Sequence, residues 1–304
     1  MSFTEEQKIQ SFLKLQRFIQ DKQSNQQPFF VGRLSGNETR LTGEILSNVQ
    51  QTTTEQLQHR QQLYYQMLFG AGIQFLTTDD IKTYVKTYTA SCKNSQLLGV
   101  WDGGMYIQAK PFYDFIDKMY PSLEKICAHS VEPFYFMNHP EYNFHQVFKN
   151  KRVLIITSHK ETTAQQLPKL SKIFPNNSIF HETTTFHIYK PPQQNGGNHD
   201  TQSWTVHFER MKNDLKEIQE TEFDFDIALV SCGGFGMPIS DYIFTNLGKS
   251  VMYIGGALQL YFGIIGARWE NSPQIKQLIN ESWTRPVQED KPPNPQSCEG
   301  GCYW

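Results

Sequence analysis

At 304 residues the chain can bury a substantial core, as one large α/β domain or as two ordinary ones. Apolar residues make up 38% and charged residues 19%, shares that exclude a disordered chain, and the surplus of Gln, Asn and Thr carries no functional weight. A net charge of -2 with no basic block excludes a nonspecific binder of nucleic acid or membrane surface, which needs clustered Lys and Arg to release counterions, and points to a small-molecule ligand.

The N-terminal stretch MSFTEEQKIQSFLKLQRFIQ has acids where a signal peptide has bases, and no apolar run approaches the length of a membrane span. The expectation is a cytoplasmic chain without a transmembrane segment. Five cysteines, Cys92, Cys127, Cys232, Cys298 and Cys302, are an odd number without disulfide-scaffold spacing and fit a reducing compartment. Cys298 and Cys302 lack the second ligand pair that a zinc site needs. Without a secretory route the sequons at Asn37, Asn176 and Asn280 lose their physical context.

Residues 4–20 place Ile9, Phe12, Leu13, Phe18 and Ile19 at amphipathic-helix spacing, so 1–28 reads as an N-terminal helical extension. PFFVGRL, rich in β-formers after a Pro, predicts a short strand, and a helix follows from Glu38 through Val49. Ser35-Gly36-Asn37-Glu38 fits a capping box at the start of that helix. Helical patterns recur over 54–69 and 110–128, the second interrupted by Pro121, and LLGVWDGGMY between them reads as a buried strand ending in a glycine turn. From residue 150 the cadence becomes regular. KRVLIIT is a strand, 162–173 a helix and SIFHETTT a second strand; after the polar loop 189–202 come a helix over 203–219, the strand DFDIALVSC, the loop GGFGMP, a helix over 239–248 and the strand SVMYIGG. Alternating strands and helices predict a mainly parallel sheet flanked by helices, with ligands beyond the carboxyl ends of the strands. The loops at Ser158, Cys232 and Gly255 would then share one rim. A single domain over 29–284 and a Pro-rich tail over 285–304, with the composition of an extended linker, complete the chain.

ALVSCGGFGMPISDYI sets Gly233, Gly234 and Gly236, with Cys232 and Phe235, between an apolar strand and a helix, where backbone N–H groups can approach a phosphate. The loop lacks the GxGxxG register and the Lys of a P-loop, and no acid ends the next strand, which runs into Gly255-Gly256. Glycines serving a tight turn alone are the competing reading. Downstream, Gln259, Phe262 and Arg268 suit a base or sugar and a phosphate clamp, or equally a surface amide, a core ring and a helix-end charge. TSHKETT offers Ser158, Thr162 and Thr163 hydroxyls, one of them explicable as a helix cap, and His159, an acid/base group or an exposed loop histidine. Asp102 in GVWDGG is either a base or a turn-forming residue. The loop 189–202 reads as a lid or as plain surface.

RLSGNE, VWDGG, SCGGFGMP, LGKSVMYIGGALQLYFGIIGARW and the ending EGGCYW together resemble the GT-D-type glycosyltransferases, and the sugar-transferring domain of multidomain glycosyltransferases in large algal viruses. The resemblance runs from about Phe29 to Trp304 and is densest over 226–269. It implies a Rossmann-like GT-D fold that moves a sugar, a UDP-linked hexose or rhamnose, from a nucleotide diphosphate to a hydroxyl of a glycan acceptor, in the host cytoplasm if the chain is viral. In bacterial members an Asp-x-Glu motif within Arg-Phe-Gly-Asp-Gly-Glu is associated with divalent metal and diphosphate. The matching positions here are Arg33, Leu34, Ser35, Gly36, Asn37 and Glu38, so Gly36 replaces the first carboxylate and only Glu38 remains to hold Mn or Mg. The implied chemistry sets the diphosphate near Arg33, Ser35, Gly36 and the glycine loops, uses Glu38 or Asp102 as base, and meets leaving-group charge with Arg268. A noncatalytic nucleotide-sugar or glycan binder is the alternative, and an NAD- or S-adenosylmethionine-dependent enzyme a third reading.

Overall fold

The computed structural model describes residues 2–47 and 54–304. Its frame is one sheet of seven strands: β1 (Phe30–Arg33), β2 (Leu97–Val100), β3 (Lys125–Cys127), β4 (Arg152–Thr157), β5 (Thr185–Tyr189), β6 (Ile227–Ser231) and β7 (Ser250–Tyr253). The spatial order is β3-β2-β1-β7-β6-β4-β5, and every pairing is parallel. Helices cover both faces, as the mainly parallel, Rossmann-like expectation required.

The apolar strands explain themselves by alternation. Val31, Leu97, Val153, Ile155, Leu229 and Met252 enter one core, while Phe30, Leu98, Leu154, Ile156, Ala228 and Val251 enter the other. A strand buried on both faces has no polar face to show, so it reads as a continuous apolar run. β1 leads outward through β2 to β3 on one side, while β7 returns beside β1 on the other. That divergence opens a crevice at the carboxyl ends.

The N-terminal helix Glu5–Ser24 starts on a complete capping box between Thr4 and Gln7. It is not an appendage. Phe12 stacks on Phe136 at 4.5 Å, and Phe12, Leu13, Leu15 and Ile19 join the core that lies under one face of the sheet. The helix expected over 38–49 starts earlier, at Gly36, and runs to Ser47; residues 48 and 49 lie outside the described residues.

Several expected bounds shift for local reasons. The pattern over 110–128 is a helix only over Lys110–Met119; past Pro121 the chain straightens into β3. The helix expected over 162–173 breaks at Pro168 into Lys160–Gln166, a 3-10 turn and Leu170–Ile173. SIFHETTT is not the second strand. Ile179 and Phe180 pack into the core from an irregular segment, Thr184 N–H closes a turn on His181 O at 3.0 Å, and the paired strand is β5. An unforeseen helix, Thr78–Asn94, presents Tyr84, Val85, Tyr88 and Cys92 to the second core.

The segment 285–304 does not run out as an extended linker. Asp290, 4% exposed, accepts from Glu161 N–H at 3.1 Å, Thr162 N–H at 2.7 Å and Thr162 Oγ1 at 2.6 Å, pinning the tail to the helix that follows β4. Trp304 Nε1 donates to Asp290 O at 3.2 Å, and Arg268 N–H donates to Cys302 O at 2.9 Å. The tail thus lies across the carboxyl ends of the strands. No helix among the described residues is long and apolar enough to cross a membrane.

Candidate functional site

A cavity of about 530 Å³ opens at the carboxyl ends of β1, β2, β4, β6 and β7. Of the residues singled out from the sequence, Arg33, Ser35, Gly36, Glu38, Ser158, His159, Gly233, Gly255, Gly256, Gln259 and Arg268 line it. They come from five separate loops, so the rim expected from the strand order does form.

Arg33 ends β1 and is 8% exposed. Its Nη1 lies 3.2 Å from Glu132 Oε1, and its guanidinium sits over the Trp101 ring at 5.0 Å. Trp101 is itself fixed by Nε1 donating to Leu34 O at 2.7 Å. The close approach of the β7 loop requires glycine: Gly255 has φ of +65°, and a Cβ there would stand 2.2 Å from Arg33 Nη2. Arg268 also lines the cavity, donating Nη1 to Tyr303 OH at 2.8 Å and pairing Nη2 with Glu299 Oε2. Arg40, one turn into the helix Gly36–Ser47, also lines the cavity and is oriented by Asn37 Oδ1 at 2.6 Å and Gln108 Oε1 at 3.3 Å. Among the described residues no carboxylate lies within ion-pair distance of it.

Glu38 is 4% exposed, and burial pushes its carboxyl above the ordinary range, opposed by its own backbone N–H and the Ser35 hydroxyl. Ser35 Oγ nonetheless lacks a well-aligned hydrogen bond, so the capping box expected at this turn does not close. The cavity's carboxyl groups are Glu38, Glu132 and Glu299; the last two are paired with Arg33 and Arg268, which leaves the Arg40 guanidinium open to an anion.

Eight buried side-chain polar atoms have no hydrogen-bond partner among the described residues, and four belong to this cavity: Arg33 Nε, Ser35 Oγ, His159 Nε2 and Gln259 Oε1. Buried polar groups are normally paired, and an unpaired one costs about 1–3 kcal/mol. Two donors and two ring or amide atoms concentrated in one cleft give it a lining with hydrogen-bonding capacity to spare. Gln259 is 3% exposed rather than a surface amide; its Nε2 donates to Ile264 O at 3.0 Å, which aims Oε1 at the cavity.

Seven expected site residues serve elsewhere. Asp102 accepts from Phe3 N–H at 2.8 Å and faces the N-terminal segment instead of the cavity. Thr162 is taken up with Asp290. Cys232 is fully buried, and burial raises its thiol far above the ordinary range. Phe235 and Phe262 are core rings, the latter stacked on Phe180 at 5.3 Å. Gly234 and Gly236 are close-packing positions, where a Cβ would meet Ile73 Cγ1 at 2.4 Å and the Tyr253 ring at 2.0 Å. The glycine loop is therefore mainly a packing device: Tyr84 OH and Tyr253 OH donate to Gly234 O and Gly233 O at 2.9 and 3.0 Å. His159 is not an exposed loop histidine, nor does it titrate near neutrality; burial pushes it down to about 4, with Asp290 only partly offsetting.

Several cavity groups lay outside the sequence reading. His129 and Glu132 come from a short turn after β3 that no glycine or catalytic motif marks. Glu299, Tyr303 and Trp304 come from the tail, whose ending EGGCYW was the only signal. The loop 189–202 supplies Gln193 and Asn195, and it is tied down by Gln194, which accepts from Gln74 N–H at 3.1 Å and donates to Gln202 O at 2.8 Å. A second cavity of about 390 Å³ shares Ser158, Gln193, Asn195 and Trp304 with the first.

Fold and site together define an α/β, Rossmann-like protein with a polar, arginine-lined cavity at the carboxyl edge of a parallel sheet. Comparison with protein-family profiles, with curated proteins and with solved structures found no match.

Proposed function

We propose that this chain is a glycosyltransferase of the GT-D type, taking a nucleotide-diphosphate sugar, UDP-linked hexose or rhamnose, as donor and a glycan hydroxyl as acceptor. The observation that carries the reading is the set of four unpartnered polar groups, from Arg33, Ser35, His159 and Gln259, in a cleft where three arginines converge. Guanidinium groups match the geometry and charge of a diphosphate, and mixed donors and acceptors match sugar hydroxyls. Arg40 has no carboxylate to displace among the described residues, and Arg268 would exchange Glu299 for phosphate oxygen. Glu38, on the same helix as Arg40, would contact the sugar.

Mn or Mg does not fit the donor set. At the Arg33-to-Glu38 turn Glu38 is the single carboxylate, Glu132 is engaged by Arg33 and His129, and Glu299 by Arg268. Among the described residues no three His, Cys, Asp or Glu side chains gather as a metal's ligands, and a hard cation needs several oxygens. Charge on the leaving diphosphate falls to Arg268 and Arg40, preorganised donors in a partly buried site.

A thermal-shift panel of UDP, GDP, TDP and CDP sugars, with and without manganese, tests the proposal, with release of nucleoside diphosphate followed in parallel. One nucleotide sugar should stabilise the protein independently of manganese, and Arg40→Ala should diminish that shift. No shift with any donor would sink the reading. Stabilisation without turnover across acceptors would make the protein a binder and not an enzyme.

A further inference from the structure

The turn Ala128–Val131 and the adjoining Glu132 hold a cluster that the donor site leaves unused. His129 Nδ1 lies 2.7 Å from Glu132 Oε2, while Glu132 Oε1 faces Arg33 Nη1 at 3.2 Å. The Glu132 side chain is 8% exposed, so both oxygens are engaged inside the protein. The His129 ring stands edge-on to Trp101 at 5.0 Å and to Tyr135 at 5.7 Å, contacts that set its plane. A carboxylate at one ring nitrogen selects the tautomer protonated there and leaves the lone pair on the other. Nε2 has no partner among the described residues, and His129 stays about one-third exposed where it lines the cavity.

The other carboxyl groups considered for proton transfer are less suited. Asp102 is turned toward Phe3, and Glu38 is 4% exposed, with its carboxyl raised above the ordinary range by burial. A histidine with a carboxylate behind it and an open nitrogen in front is the geometry that nucleophile-activating bases share.

We infer that His129, held by Glu132, is the general base that takes the proton from the acceptor hydroxyl. This rests on the glycosyltransferase reading above. The acceptor O–H bond breaks as its proton passes to Nε2, the oxygen forms the bond to the anomeric carbon, and the bond from that carbon to the diphosphate oxygen breaks, its electron pair leaving with the diphosphate. The products are the glycoside and the nucleoside diphosphate, with one proton on the imidazole for release to solvent. Glu132 and Arg33 are positioning residues in this step.

The test pairs His129→Asn, whose amide can still face Glu132, with an NMR measurement on the unliganded wild-type chain. Turnover of the donor found by the panel, to acceptor or to water, should fall about 10²–10³-fold in the variant, while the donor Kd from calorimetry stays within about twofold. Imidazole 15N shifts should show His129 protonated on Nδ1 and bare on Nε2. Turnover retained in the variant, a Kd that worsens in step with turnover, or the Nε2–H tautomer would each overturn the assignment and leave sugar transfer standing. A wild-type chain that neither binds nor turns over any nucleotide sugar would overturn both.

Discussion

Burial of His159 ties stability to pH in a way that can be worked through. The ring is 5% exposed and its titration is pushed from 6.5 down to about 4, chiefly by loss of solvent and against the pull of Asp290. The folded chain therefore keeps His159 neutral while the unfolded chain takes up a proton. The stability is present in full above pH 6.5, is lost as the pH falls from there toward 4, and then levels off. At about 1.4 kcal/mol per pH unit the whole interval is worth about 3 kcal/mol, most of it gone by pH 4.5. His159→Gln has no proton to take up. Urea unfolding of both proteins at pH 7.5 and 4.5, followed by tryptophan fluorescence, isolates the contribution, since other groups titrate alike in each. The wild-type chain should lose about 2–3 kcal/mol more than the variant across that interval. Equal losses would mean that His159 reaches water in solution, and the neutral, unpartnered Nε2 assigned to the cavity would go with it.

Gly255→Ala sets a Cβ against Arg33 Nη2 at a left-handed backbone position, a strain of about 1–2 kcal/mol. It should move the guanidinium off Glu132 and weaken nucleotide-sugar binding about tenfold or more, with only a modest drop in Tm; an unchanged Kd by calorimetry would take Arg33 out of the site. Asp290→Ala removes three hydrogen bonds that reach the tail from Glu161 and Thr162. The loss should approach about 2–4 kcal/mol locally and open the bond after Glu299 to a glutamate-specific protease, so cleavage no faster than in the wild type would show that other contacts hold the tail.

Much of this fold was legible because its inner strands are buried on both faces. β4, β6 and β7 stand out as apolar runs of Val, Ile, Leu and Met, and the glycines after β6 and β7 mark where the chain turns. The helix Thr78–Asn94 was missed although its signal was present: Thr77 and Asp80 form a capping box, and Tyr84 and Tyr88 are spaced for one helix face. β3 had no comparable signal. Three residues, Lys-Ile-Cys, become a strand only because β2 offers them a parallel partner.

The site divides the same way. The stretch from Arg33 to Glu38, the Gly255-Gly256 pair, Gln259 and Arg268 could be picked out from residue type and position, because they follow apolar strands whose carboxyl ends a parallel sheet brings to one edge. The glycine loop after β6 misled, since glycines that let a loop meet Ile73 and Tyr253 look, in sequence, like glycines that cradle a phosphate. The period of the apolar residues was enough to specify a parallel α/β sheet and the rim where its loops gather. Which polar groups meet on that rim was settled by the packing of the folded chain. Glu132 finds Arg33 across 99 residues and Arg268 finds Glu299 across 31, while Asp102 turns away to Phe3, and such pairings depend on distances in space that spacing along the chain does not encode.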